Sequence, residues 1–301
     1  MKYLLMYNPN SGKRKFKRKL NKVIKYFKER QLHLDIYESQ KPFDLEEEAK
    51  RVGQDYDVII VSGGDGSINE VVNGLMCLDK RPALGIIPAG TANDIAGILR
   101  IRKNIKKALN IIVNKEPVYI DVNKINDRYF LYTTAAGVLT KISYDVPRKK
   151  VKSLGYMAYI GEGAKDLFKN YNIEMKVTHE NGVVEGEYML AIGLSGRRVG
   201  GMTLTKFSNP KLDDGKFELR LIPHTKAFRL YRLLSFVLNR GRKSKKDVAL
   251  VSSFYKIETR DDVVWNTDGE KGVKGSVLIN VEKRALKIFT SKRSKKEYFD
   301  Q

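Results

Sequence analysis

Apolar positions follow two rhythms along this chain. Residues 2–7 form a short apolar run that stops at Asn8-Pro9-Asn10-Ser11-Gly12, the pattern of a buried strand closed by a turn. Phe16, Leu20, Val23, Ile24 and Phe27 then recur at helical spacing, with basic residues on the opposite face. Asp57–Ser62 reads as a second buried strand, followed by Gly63-Gly64-Asp65-Gly66 and a helix marked by Ile68, Val71, Val72, Leu75 and Met76. Ala83–Ile87 reads as a third strand, and Pro88-Ala89-Gly90-Thr91-Ala92-Asn93-Asp94 leads into a helix carrying Ile95, Ile98 and Leu99. Strands alternating with helices predict parallel βαβ units.

After about residue 116 the period changes to two. Val118, Ile120 and Val122 alternate, Asn126-Asp127 makes a turn, and Tyr129–Thr133 resumes the extended pattern. Strand signals recur at Ile173–Thr178, Val183–Leu194, Phe217–Ile222, Lys256–Arg260, Val277–Val281 and Leu286–Phe289, several separated by Gly or Asn-Gly turns. Helices are expected around Leu154–Lys169 and Lys226–Asn239. The fold class read from this is α/β: a parallel-sheet α/β domain over 1–120 and a mostly β, sandwich-like domain over 121–301, the last strand able to return to the first domain.

Composition narrows the class. The chain has 301 residues, 42% hydrophobic and 31% charged, enough to build two cores and too polar for an integral membrane protein. No apolar run approaches the roughly 18 to 20 residues of a membrane helix, and the opening run is too short for a signal-peptide core. One cysteine, Cys77, excludes an internal disulfide, and is expected in the core; three scattered histidines offer no zinc spacing. The expected address is the cytosol. The net charge of +22 favours polyanionic partners, nucleic acid or an anionic membrane. Between Lys13 and Arg30 ten basic residues face one acid, Glu29, and further clusters lie at Arg148–Lys152, Arg240–Lys246 and Lys292–Lys296.

The chemistry sits in the loops. In open parallel sheets ligands collect at the carboxyl ends of strands, and here three strands end in polar or glycine-rich loops that enter helices. Helix N-termini offer unpaired N–H groups, and glycines let the backbone approach phosphate oxygens. The arrangement predicts a nucleotide site formed by Asn8, Pro9, Ser11, Gly12, Gly63, Gly64, Asp65, Gly66, Ser67, Gly90, Thr91 and Asn93. A carboxylate inside a phosphate cradle needs a cation, so Asp65 points to Mg²⁺. The P-loop motif and the protein-kinase glycine loop with its His-Arg-Asp partner are both absent.

Five ordered segments carry a resemblance: Asn8-Pro9-Asn10-Ser11-Gly12-Lys13, Gly63–Gly74, Pro88–Asp94, Leu212-Asp213-Asp214-Gly215 and Asp268-Gly269-Glu270. In these the chain resembles the diacylglycerol kinase catalytic-domain family of soluble bacterial lipid kinases. The resemblance implies ATP and Mg²⁺ as cofactors, an N-terminal domain related to the phosphofructokinase-like and NAD-kinase-like folds, and a diacylglycerol-like lipid as phosphoryl acceptor. It implies three catalytic residues: Asp65 ordering the Mg²⁺ network, Asp94 supporting it and Glu270 accepting the proton of the lipid hydroxyl. It also implies a second, structural Mg²⁺ at Asn209, Asp213 and Asp214, where Asn209 stands for the family's acid and brings no charge. Lys13 and Arg18 match positions that place the family at an anionic lipid surface, peripheral to the inner face of the membrane. Ser67 stands where threonine is frequent, and Ile95 and Gly97 where an aromatic residue and an arginine are common.

Other acceptors remain open at this stage: undecaprenol, sphingoid bases, ceramide and monoacylglycerol. NAD kinase shares the Gly-Gly-Asp-Gly loop, but Gly90–Asp94 and Asp268–Glu270 point to the lipid group. A catalytically silent nucleotide or lipid sensor is disfavoured by intact Asp65, Asp94 and Glu270. Nucleic acid is not an expected partner, since no base-reading motif accompanies the charge. Exposed strands of the second domain leave a homodimer open.

Overall fold

The computed structural model describes residues 1–11, 16–138, 172–225 and 229–301. The helix expected over 154–169, the basic cluster 148–152 and residues 226–228 of the second expected helix lie outside them. The chain divides into two compact units, 1–122 with 283–301, and 123–282.

Unit 1 is built on β1 (Lys2–Tyr7), β2 (His33–Glu38), β3 (Val58–Gly63) and β4 (Ala83–Pro88). They pair in parallel in the order β4-β3-β1-β2. Its helices are α1 (Leu20–Lys28), α2 (Asp44–Val52), α3 (Asp65–Met76), α4 (Asp94–Ile98) and α5 (Ile105–Asn114).

Strand register assigns each helix to a face. Leu5, Ile60 and Gly85 are cross-strand partners, and the Gly85 face meets Ile112 of α5, since a Cβ there would lie 2.9 Å from Ile112 Cδ1. Tyr3, on the same face, packs edge-on against Phe27 of α1 at 5.1 Å. The alternate face, which carries Leu4 and Ile59, is covered by α3, with α2 packed behind it through Gly74, whose Cβ would lie 2.4 Å from the Glu46 carbonyl oxygen. Both faces are therefore covered, and every residue of β3 and β4 is buried.

Three expectations change here. Ile24 is exposed, and Tyr26 is buried in the α1 interface beside Val23 and Phe27. Cys77 is exposed because, as the C-cap of α3 with helical φ and ψ, it falls on the face away from Ile68, Val72 and Leu75; its thiol donates to the Asn73 carbonyl. Val277–Val281 and Leu286–Phe289, read as two strands, belong, all but Phe289, to one long strand described below.

Unit 2 is antiparallel. Its strands are β5 (Val118–Ile125, entering from unit 1), β6 (Arg128–Phe130), β7 (Thr133–Gly137), β8 (Ile173–His179), β9 (Gly182–Leu194), β10 (Arg198–Val199) and β11 (Met202–Thr203). They continue with β12 (Phe217–Pro223), β13 (Val248–Ser252), β14 (Phe254–Glu258), β15 (Val264–Thr267), β16 (Glu270–Lys274) and β17 (Val277–Ile288, which runs on into unit 1). The thirteen-residue β9 spends its first half on β8 and its second half between β7 and β12, so one strand feeds two layers. Trp265, Phe130, Phe217 and Tyr255 fill the core, with Phe130 and Phe217 edge to face at 5.4 Å. Gly193 makes room for Phe217, whose ring a Cβ would meet at 2.2 Å. α6 (Arg229–Leu238) covers a second cluster through Leu233 and Phe236. α7 (Lys292–Tyr298) belongs to unit 1, where β17 ends beside β4 at Ile288 and Leu84.

Candidate active site

The three loops predicted from the sequence close the C-terminal ends of β1, β3 and β4, and hydrogen bonds tie each to the next. The Asn8 N–H donates to the Ser62 carbonyl at 3.3 Å, and Asn8 Oδ1 folds the first loop by accepting from the Asn10 N–H at 2.8 Å. Ser11 Oγ lies 3.4 Å from Ser67 Oγ in the first turn of α3. The Gly63 carbonyl accepts from the N–H groups of Ala89 and Gly90, at 2.8 and 3.1 Å, joining the second loop to the third. Asp65 Oδ1 accepts from the Ile95 N–H at 3.2 Å.

This closeness dictates the glycines. A Cβ on Gly90 would lie 2.4 Å from Gly64 Cα, and one on Gly63 would lie 2.3 Å from Ser67 Cβ. Asn93 holds the third loop as a closed ring: Oδ1 accepts from the Gly90 N–H and Nδ2 donates to the Gly90 carbonyl, both at 2.8 Å. Its left-handed φ of 51° suits asparagine. Lys103 Nζ donates to the carbonyls of Gly90 and Thr91, placing a positive charge beside the loop. Asp94 is fully buried, Ser67 is buried, Pro9, Asp65 and Gly66 are half-buried, and Thr91 is exposed. Gly12 and Lys13 lie outside the described residues.

The donor set fits a polyphosphate. The first N–H groups of α3 have no intrahelical acceptor and carry a partial positive charge. Ser62 Oγ, at the end of β3, is buried and has no hydrogen-bond partner among the described residues. Asp65, beside these donors, is the side chain there suited to hold Mg²⁺ through its waters.

Unit 2 carries Glu270 and the predicted second metal loop. Glu270 is exposed at the start of β16, paired with Thr267 across a two-residue hairpin turn. Asp268 and Gly269 both have positive φ, 50° and 89°, the backbone of a type I′ turn. Asp268 does more than turn the chain: Oδ1 accepts from the N–H groups of Tyr132 and Thr133 at 3.0 and 3.1 Å, and Oδ2 from Leu131 at 2.8 Å. This buried carboxylate anchors the hairpin that presents Glu270. The Asp-Gly pair signals a hairpin in the sequence, but the anchoring depends on residues more than a hundred positions away.

The proposed second metal loop has a different character. Asn209 Oδ1 accepts from Arg197 Nη2, and Arg197 Nε donates to the Ser208 carbonyl at 3.3 Å. Asp214 Oδ1 accepts from the Lys216 N–H at 2.9 Å, and Asp213 is buried. Among the described residues no three acidic, histidine or cysteine side chains gather as a metal site. With a guanidinium on its oxygen, Asn209 does not fit as a cation ligand. Beside this loop Glu218 is buried with Oε2 unpaired; burial, then the Asp214 charge, pushes its carboxyl up to about 8, and Arg197 opposes the shift. Arg18 is exposed in the short turn Lys17–Lys19 that precedes α1.

Comparison with known proteins identifies the class. The diacylglycerol kinase catalytic domain matches residues 2–125. The chain is 32% identical over 292 residues to a diacylglycerol kinase of Staphylococcus carnosus (strain TM300), spanning 96% of this chain and 94% of that one. It is 34% identical over 290 residues to a diacylglycerol kinase of Staphylococcus aureus (strain MRSA252), spanning 95% and 91%. The crystal structure of a diacylglycerol kinase from Bacillus anthracis str. Sterne aligns with a TM-score of 0.80 and 25% identity over 97% of this chain and 98% of that one. With matches that run nearly end to end at this identity, the chain belongs to the diacylglycerol kinase family and is a lipid kinase.

Proposed function

We propose that this protein transfers the γ-phosphoryl group of ATP to the free hydroxyl of diacylglycerol, giving phosphatidic acid at an anionic membrane surface on the cytoplasmic side. The observation that carries the reading is the end-to-end similarity to relatives named diacylglycerol kinase, combined with three linked loops whose donors suit a polyphosphate.

When bound, Mg²⁺-ATP supplies the γ-phosphoryl group and the counter-charge that phosphoryl transfer needs. The chain's own residues do the rest. Asn8, Pro9, Gly63, Gly90 and Asn93 shape the three loops, and Ser11, Gly12, Gly64, Gly66, Ser67 and Thr91 would bind and orient the phosphates through the remaining backbone N–H groups and hydroxyls. Asp65 would hold Mg²⁺ through its waters, and buried Asp94 would stiffen the loop beside it. Glu270 takes the proton from the attacking hydroxyl oxygen, a role worth about 10²–10⁴-fold in rate. Lys13 and Arg18, at the head of a strongly basic segment, hold this end of the protein on the lipid surface.

The test is transfer of labelled phosphate from Mg²⁺-ATP to diacylglycerol, undecaprenol, sphingosine and monoacylglycerol in mixed micelles containing anionic phospholipid. Diacylglycerol is expected to be the best acceptor, and Glu270→Gln to abolish the product without loss of fold. Preference for another lipid overturns the acceptor assignment, and full activity in Glu270→Gln overturns the base.

A further inference from the structure

Unit 2 carries an apolar stripe that its own core does not use. On its inner side α6 packs Leu233 and Phe236 against a cluster that includes Met189, Leu204 and Phe207. Arg232 fixes the roll of the helix: Nη2 donates to Asp247 Oδ1 at 2.6 Å, and Nη1 to the Pro223 carbonyl at 3.1 Å. On the outer side Tyr231, Leu234 and Leu238 are 70, 47 and 78% exposed. Positions i, i+3 and i+7 fall within about 60° of arc at 3.6 residues per turn. Large apolar groups aligned in this way mark an interaction surface rather than scattered exposure.

The following segment matches the stripe in chemistry. Left-handed Arg240 and Gly241, with φ of 55° and 80°, turn the chain directly after the helix. Arg240, Arg242, Lys243, Lys245 and Lys246 are all exposed, and none of the five forms an ion pair among the described residues. Asp247, the one acid of 240–247, is turned inward. It is held by Arg232, accepts from the Ser244 N–H at 2.9 Å and lies 3.9 Å from buried Arg220. The outward face of the segment is left entirely positive.

An amphipathic stripe joined to uncompensated positive charge matches the boundary of an anionic bilayer, where apolar side chains enter the acyl region and cations meet phosphates. We propose that α6 and residues 239–246 dock unit 2 on an anionic lipid bilayer. Ten residues lie along such an interface rather than cross it, and no helix among the described residues is long and apolar enough to span a membrane. A second copy of this chain is a poorer occupant, because pairing two such faces would bring their like charges together. The proposal deepens the functional reading, on which it rests only for its purpose, a substrate held in the bilayer.

The experiment is sedimentation with phosphatidylcholine vesicles, with and without phosphatidylglycerol, in the absence of nucleotide. It compares the unsubstituted protein with Tyr231→Ser/Leu234→Ser/Leu238→Ser and with Lys243→Glu/Lys245→Glu/Lys246→Glu. Each triple variant is expected to bind the anionic vesicles at least about tenfold more weakly. Transfer to short-chain diacylglycerol in detergent is expected to keep its kcat. Unchanged vesicle affinity in both variants overturns the proposal. So does a dimer that becomes a monomer in the stripe variant while vesicle binding is unaffected. Vesicle binding is read without catalysis, so inactivity toward every lipid would remove the substrate reading and leave the docking result intact.

Discussion

Asp65 Oδ1 accepts the backbone N–H of Ile95 at 3.2 Å, tying the loop after β3 to the first turn of α4. On the proposed mechanism this carboxylate has two separable duties, holding this link and offering negative charge to a cation. Asp65→Asn keeps an amide oxygen for the Ile95 N–H and removes the charge. Melting temperature is expected to stay near that of the unsubstituted protein while kcat falls by at least about a hundredfold. A comparable loss of both would show that the residue acts through the fold alone.

Gly90 and Gly64 meet backbone to backbone, with no side chain available to yield. Gly90→Ala puts a Cβ where Gly64 Cα is 2.4 Å away, so two loops must part. The expected cost is about 1–3 kcal/mol of stability and roughly a hundredfold in kcat/KM from misplaced donors. Denaturant unfolding and steady-state kinetics measure the two effects separately.

Glu218 makes stability depend on pH. Its carboxyl ordinarily titrates near 4.5, and burial with the neighbouring Asp214 pushes it up to about 8 in the folded protein. Below the lower value both states hold the proton and the contribution is complete. As pH climbs toward 8 the unfolded chain ionises while the folded one keeps its proton, so stability drains away. Glu218→Gln has no proton to lose. Its stability relative to the unsubstituted protein is expected to improve by at least about 1 kcal/mol between pH 5 and pH 9, read from denaturant midpoints.

Arg197 takes the oxygen of Asn209 and the carbonyl of Ser208, so this loop is held by a cation the chain already owns. Arg197→Met is expected to cost about 1–2 kcal/mol. Without nucleotide, thermal unfolding of the unsubstituted protein is expected to be indifferent to millimolar Mg²⁺. A clear Mg²⁺-dependent rise in Tm would show that the guanidinium gives way to the ion.

The fold class was legible because the central strands of unit 1 are buried on both faces and must be written as unbroken apolar runs, as at 58–63 and 83–88. β2 was not legible for the complementary reason. It is the edge of its sheet, and His33-Leu34-Asp35-Ile36-Tyr37-Glu38 is at least partly exposed throughout. β17 read as two strands because Lys283 and Arg284 are exposed and Arg284 takes a φ of 51°, interrupting a strand that the backbone nevertheless continues. The glycine-rich loops announced themselves through residue type. The contact of Arg197 with Asn209 and the grip of Asp268 on residues 131–133 did not, since each joins segments that only tertiary structure brings together.

The chain path has a consequence for synthesis. Unit 1 needs residues 283–301: the Ser291 N–H and Thr290 Oγ1 donate to the Leu99 carbonyl, and Ser294 Oγ donates to the Ile98 carbonyl. A ribosome therefore makes every residue of unit 2 before it can finish unit 1. The half that carries the glycine-rich loops waits as an incomplete nascent fragment, its β4 flank lacking the β17 segment that later pairs there. The second half to be translated is thus free to fold first.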